Sequence, residues 1–139
     1  MNITVVGLGK IGLPLAVQCA RKGHNVIGVD INEPTVVAVN RGIEPFPGEV
    51  GLKALLQQTT ESGTLRATTS YPEAIPNAEA IIVVVPLFID SNSQPDFRWL
   101  DSATESIGAN LTRGTIVSYE TTLPVGTCRN RWAPRLEEQ

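Results

Sequence analysis

The sequence predicts an α/β domain built on a doubly wound parallel sheet. Three observations lead there. Short β-branched runs alternate with longer stretches of helical periodicity, a spacing that gives right-handed βαβ units. The run "AEAIIVVV" at 78–85 is almost wholly apolar, as suits a strand buried on both faces of a parallel sheet. Three glycines, Gly7, Gly9 and Gly12, separate the first apolar run from the first helical stretch. Glycine weakens strand and helix interiors, so this cluster points to a backbone that turns tightly or is closely approached.

The elements follow in order. "NITVV" at 2–6 reads as a strand and "IGLPLAVQCARKG" at 11–23 as a helix, with Pro14 in the first turn, where a missing N–H costs little. "NVIGVD" at 25–30 is the second strand. "EPTVVAVNRG" at 33–42 is a helix capped by Asn32, with Pro34 in its first turn and Gly42 at its end. "GLKALLQQTTESG" at 51–63 is another, ending on Gly63. "LRATT" at 65–69 is a short strand, and "SYPEAI" at 70–75 opens a helix behind a Ser70 cap. After the apolar strand, "DFRWLDSATESIGANL" at 96–111 is helical with Asp96 as its cap, and "GTIVSYE" at 114–120 is a strand. The last dozen residues begin a further helix. Two loops are long, "IEPFPGEV" at 43–50 and "PLFIDSNSQP" at 86–95, and both are expected at the ligand crevice or its rim.

A length of 139 residues favours one domain. The net charge of −3 gives no reason to expect nucleic acid or a membrane surface as partner. No apolar run approaches the roughly eighteen residues of a membrane span. Met1 and Asn2 lead straight into a strand with no charged leader, so the expected location is cytoplasmic. Cys19 and Cys128 lack metal-ligand spacing and read as small buried hydrophobes in a reducing compartment. A helix start can activate a thiol, but packing explains Cys128 more simply. His24 reads as a solvated turn residue. "DSNSQPD" at 90–96 lacks the glycine and closing glutamate of a calcium loop, so no metal is expected. Arg129, Arg131 and Arg135 read as a solvated face or as a surface for a further domain, and Trp99 and Trp132 as packing residues.

The glycines carry the chemistry. Gly7-Leu8-Gly9-Lys10-Ile11-Gly12 is a G-x-G-x-x-G that follows a strand, opens a helix, and is followed by Asp30 at the end of the second strand. In that context the spacing is the dinucleotide-binding fingerprint of a Rossmann-type domain. Gly7 permits the turn out of the strand, Gly9 lets the backbone approach a pyrophosphate, and Gly12 lets the helix pack close to the sheet. The pyrophosphate is expected on the free N–H groups at the helix start. Asp30 can accept from the ribose hydroxyls of NAD and repels the 2′-phosphate of NADP. The following "INEPT" offers no arginine for such a phosphate. NAD is the expected cofactor.

Several motifs lie outside this general pattern. "VVGLGKIGLPLA", "VIGVDIN", "VNRG", "EPFPGEVGL", "VVVP", "QPDFRWLDSA" and "YETTLPVGT" together resemble the UDP-glucose/GDP-mannose dehydrogenase family, in order and across essentially the whole chain. Within it the chain is most similar to the branch acting on UDP-N-acetylmannosamine. The resemblance implies oxidation of the C6 hydroxyl of a nucleotide-sugar to a carboxylate with two NAD+, in the service of polysaccharide biosynthesis. It implies Lys10 and Ile11 beside the NAD phosphates, with Leu8 a further cofactor-binding residue of the turn, and Asp30 on the adenosine ribose. It also implies Pro86 and Leu87 after the fourth strand as cofactor-binding positions, and Thr122 near the nicotinamide ribose, with Glu120 and Thr121 shaping the same loop. Three positions depart from the family pattern. Leu87 replaces a threonine, Thr35 a basic residue, and Lys10 an aromatic.

The catalytic cysteine of the family, in a "GGSC"-like stretch, and its supporting glutamates, lysine and asparagine are expected downstream. The chain itself therefore carries no catalytic residue. It resembles the N-terminal NAD-binding part of a dehydrogenase that holds its UDP-sugar through a further domain and forms a homo-oligomer at full length. A second reading is a stand-alone, non-catalytic nucleotide-binding or regulatory module. The two differ in whether the reading frame continues into a cysteine-containing segment. A β-hydroxyacid-type dehydrogenase shares the fingerprint but leaves "ETTLPVGT" and "VNRG" unexplained.

Overall fold

The computed structural model describes residues 1–138. Five strands form one parallel sheet: β1 (Asn2–Val6), β2 (Asn25–Val29), β3 (Leu65–Thr68), β4 (Ala80–Val83) and β7 (Ile116–Tyr119), in the order β3-β2-β1-β4-β7. The order reverses at β1. From β1 the chain crosses one face of the sheet to reach β2, and from β4 it crosses the other face to reach β7. This is the doubly wound arrangement that the alternating pattern predicts.

Period-two alternation divides the strand side chains between two cores. Ile3 and Val5 of β1 and Val26 of β2 pack under α1 (Gly12–Arg21), α2 (Glu33–Asn40) and α3 (Leu52–Glu61), against Leu13, Val17, Val39 and Leu56. Val6, Val29, Ile81 and Val83 point to the opposite face. There they meet Ala74 of α4 (Tyr71–Ala74), Leu100 and Ile107 of α5 (Arg98–Gly108), and Trp132. Thr4 Oγ1 donates to the Ala74 carbonyl at 2.7 Å, so the buried hydroxyl on the strand is satisfied. The edge strand β3 is covered by a side chain. Asn40 donates to Ala67 O and accepts from Ala67 N, at 2.8 and 2.7 Å, in place of a further strand.

Local signals explain most element ends. Asn32 caps α2 by accepting from Thr35 N, and Gly42 and Gly63 take the left-handed turn after their helices. Other expectations need correction. Ser70 stands at the cap position of α4, but its side chain makes no cap bond. Asp96 lies one residue too early to cap α5, where Phe97 holds the position, and instead it receives Arg98 N and the Arg98 guanidinium. The expected loop 86–95 instead forms, with Asp96, a hairpin of β5 (Phe88–Ile89) and β6 (Pro95–Asp96). Its turn is held by Asp90, whose Oδ1 accepts from Asn92 N and Gln94 N. The final helix opens as a π-turn over Cys128–Trp132 before α6 (Ala133–Glu137). Cys128 is exposed rather than the buried hydrophobe expected from sequence, whereas Cys19 packs half-buried against the first core. Burial pushes the Cys19 thiol up.

Candidate functional site

The glycine turn shows what each position has to provide. Gly7 has φ +95, a conformation that side chains resist, and donates its N–H to the Val29 carbonyl at 2.8 Å, joining the turn to β2. A Cβ on Gly12 would lie 1.8 Å from the Gly7 carbonyl oxygen, so the start of α1 can sit on the turn only with glycine there. At Gly9 the situation is reversed. The residue is exposed, and an added Cβ meets nothing within 4 Å. The space beside Gly9 is open, at the turn that leads into α1. The first helical bond across this turn runs from Leu13 N to Gly9 O at 3.0 Å, which leaves the preceding N–H groups for a phosphate.

Asp30 stands at the end of β2, half-buried, with both oxygens engaged from one side. Its Oδ2 accepts from Leu8 N at 2.7 Å and its Oδ1 from Asn32 N at 2.9 Å. Each oxygen keeps a lone pair for hydroxyl donors, and the two backbone bonds fix the carboxylate's direction. Leu8 plays a different part from its neighbours. Its side chain is fully buried and its N–H is taken by Asp30, so it braces the site from behind. A Cβ on Gly28 would fall 2.7 Å from the Leu8 methyls, which makes Gly28 the partner that lets Leu8 in.

Between this carboxylate and α5 lies a crevice of about 490 Å³, open at the carboxyl ends of β1, β2 and β4. Its floor is Val6, Gly7, Val84 and Val85, one wall is Asp30, Ile31 and Tyr71, and the other is Trp99, Ser102, Ala103 and Ser106 of α5. Gly9, Pro86 and Phe88 complete its rim. Burial first, and the Asp30 charge second, push the Tyr71 phenol up to about 12, so it stays a neutral donor at the wall. A smaller cavity of about 150 Å³ lies on the far side of the glycine turn, where Gly9 and Lys10 meet Phe46 and Glu49 of the loop 43–50.

The residues expected from sequence fall into three groups. Gly7, Gly9 and Asp30 line the large crevice, with Gly12 directly beneath the turn, and Pro86 stands at the rim. Lys10 and Ile11 are exposed at the entry to α1, Lys10 facing the smaller cavity. Leu87 packs against the second core, and Thr121 and Thr122 follow β7 outside the crevice lining. Thr35 is buried in α2. Sequence reasoning missed the α5 wall. Its residues recur at positions 99, 102, 103 and 106, one helical stripe whose mixture of Trp, Ser and Ala has no hydrophobic signature. Among the described residues, no group of three or more His, Cys, Asp or Glu side chains gathers to hold a metal.

A crevice of this kind, at the point where the strand order of a parallel sheet reverses, defines a dinucleotide-binding domain of the Rossmann type. The open cradle at Gly9 and the oriented carboxylate of Asp30 fit such a ligand. The chain belongs to the UDP-glucose/GDP-mannose dehydrogenase family, whose NAD-binding domain matches residues 1–139, and NAD is its cofactor. A UDP-N-acetyl-D-mannosamine dehydrogenase of Salmonella typhi is 40% identical over 129 residues, covering 90% of this chain and 29% of that protein. A GDP-mannose 6-dehydrogenase of Pseudomonas putida is 37% identical over 142 residues, covering 99% and 32%. Among solved structures, a ternary complex of GDP-mannose dehydrogenase from Pseudomonas aeruginosa superposes with a TM-score of 0.92 at 30% identity, over 99% of this chain and 32% of that one. UDP-D-ManNAc dehydrogenase from Pyrococcus horikoshii gives the same TM-score, identity and coverage. The chain thus spans about three-tenths of the length of these relatives.

Proposed function

We propose that residues 1–139 are the cofactor domain of a nucleotide-sugar 6-dehydrogenase. The enzyme oxidises the C6 hydroxyl of a UDP-sugar, UDP-N-acetylmannosamine or UDP-glucose, to a uronate used in polysaccharide biosynthesis. The observation that carries this reading is the coupling of the open cradle at Gly9 to the fixed carboxylate of Asp30 in a chain of this family. NAD+, when bound, supplies the hydride acceptor, and two equivalents are needed to take an alcohol to a carboxylate.

The chain's own residues bind and orient. The N–H groups from Gly9 to Gly12 take the pyrophosphate, aided by the positive end of the α1 dipole. Lys10 adds a cation at the same turn, and the exposed Ile11 covers its outer side. Asp30 accepts the adenosine ribose hydroxyls and repels a 2′-phosphate, so NADP is excluded. Pro86 and Leu87 shape the exit of β4, Pro86 at the crevice rim and Leu87 as a core anchor. Thr121 and Thr122 offer hydroxyls at the neighbouring strand end, on the nicotinamide side. No residue of this chain performs the acyl chemistry. The sugar, the catalytic cysteine and the subunit contacts of a homo-oligomer fall to a further domain.

The test is an assay of the complete gene product with UDP-N-acetylmannosamine, UDP-glucose and GDP-mannose, following NADH by absorbance. The reading expects two NADH per UDP-sugar consumed. Failure of every nucleotide-sugar to reduce NAD+, in a protein that binds NAD+, would contradict it.

A further inference from the structure

The crevice contains more wall than a ribose and a pyrophosphate need. On the proposed reading the pyrophosphate lies at the glycine turn and the adenosine ribose at Asp30. The rest of the crevice volume lies between that ribose position and α5, and there is room in it for the base. There Trp99 is 50% exposed, with its indole lining the same crevice as Asp30 and beside Phe88 at the rim. Its helical neighbour Leu100 is fully buried, so the backbone that carries the indole is seated on the second core. The other tryptophan shows the contrast. Trp132 is fully buried, stacked on Tyr119 with centroids 4.4 Å apart and edge-on to Phe97, and it donates Nε1–H to Asp101 at 2.9 Å. Among the described residues, Trp99 is not part of an aromatic pair.

We infer that Trp99 is the aromatic wall of the adenine subsite, stacking on the base while Asp30 holds the ribose. The inference rests on the cofactor reading above and adds to it a residue on the opposite wall. Stacking on an aromatic face is tolerant of base identity, because every base offers a π-face. Of the two hydroxyls beside the indole, Ser106 already donates to Ser102 O at 2.9 Å, which leaves Ser102 as the free one. The subsite therefore selects for a flat ring more than for adenine's edge.

The experiment uses tryptophan fluorescence and calorimetry on the protein and its W99F and W99A variants, titrated with NAD+, ADP-ribose and the hypoxanthine analogue of NAD+. Quenching by NAD+ is expected in the wild type, saturating with the calorimetric heat, and absent in W99F, where Trp132 remains as the buried reporter. W99A is expected to bind NAD+ and ADP-ribose weaker by the same factor, roughly tenfold. The hypoxanthine analogue should bind within a few-fold of NAD+. Wild-type affinity in W99A, or full quenching retained in W99F, would overturn the inference while leaving NAD binding intact. A loss confined to NAD+, with ADP-ribose unchanged, would move Trp99 to the nicotinamide side and overturn it as well. No heat and no quenching with NAD+ in the wild type would remove the cofactor reading and the inference together.

Discussion

At the scale of single residues, Gly9 and Gly12 look alike in the motif and differ completely in the structure. Gly12 is required by the fold, because its Cβ would collide with the Gly7 carbonyl. Gly9 is free of that demand, so only a ligand gives a reason for glycine there. Gly9→Val is therefore expected to keep the wild-type melting temperature to within a few degrees and to lose NAD+ affinity at least tenfold. Gly12→Ala should lower the melting temperature markedly, since backbone must move to admit the methyl group. Calorimetry and a thermal melt separate the two, and a Gly9→Val protein that binds NAD+ normally would count against the pyrophosphate assignment. Asp30→Ala is expected to weaken NAD+ by about 1–3 kcal/mol, the scale of a lost charged hydrogen-bond partner, and to narrow the preference over NADP+. The same variant should melt somewhat lower, because Leu8 N and Asn32 N lose their acceptor. These glycines and Asp30 were legible in the sequence because their spacing to strand and helix is itself the signal. That the Leu8 side chain turns into the core was not legible, because position in a motif does not reveal which way a side chain points. Gly28, which makes room for it, carries no motif at all.

At the scale of elements, α5 has two working faces. One lines the crevice, and the other holds the end of the chain through Asp101. That carboxylate accepts from the Arg131 guanidinium and from Trp132 Nε1, and lies 3.0 Å from Arg135. Arg131 also sits over the Phe97 ring at 4.5 Å. The three arginines, expected as a solvated face or as a surface for a further domain, thus split, with Arg129 exposed and the other two drawn to one acid. Hydrogen bonds from Arg131 chiefly, with Trp132 adding to them, hold Asp101 down to about 2 against the opposing effect of burial. Its folded value lies below the ordinary value of about 3.9, so the stabilisation is fully present above about pH 4 and is lost as pH falls towards 2. Asp101→Asn should lower stability at neutral pH by about 1–3 kcal/mol, and the gap from wild type should close near pH 2 in acid unfolding curves. A gap independent of pH would mean that packing rather than charge holds the helix. The hairpin of β5 and β6 was not legible because its strands are two residues long, too short for alternation, and its turn depends on the Asp90 side chain accepting from the backbone N–H groups of Asn92 and Gln94. The π-turn escaped for a similar reason, since a single widened turn leaves the helical periodicity almost unchanged.

At the scale of the molecule, the doubly wound sheet was legible because two-faced burial writes itself into continuous apolar strands, and because the crossover rule leaves few topologies. What alternation does not encode is the depth of the crevice, which depends on how far α5 stands from the sheet edge. On the proposed reading the cofactor's two polar anchors, the glycine turn and Asp30, lie on the β1–β2 half, and Trp99 lines the crevice from the half built by β4 and α5. Among the described residues no helix is long and apolar enough to cross a membrane. On the proposed reading this geometry forms a cofactor site selective for NAD+ through Asp30. The most direct measurement is a calorimetric titration of the protein with NAD+ and then with NADP+. The account predicts saturable binding of NAD+ and at least tenfold weaker binding of NADP+. Equal affinity for the two, or tighter binding of NADP+, would contradict it.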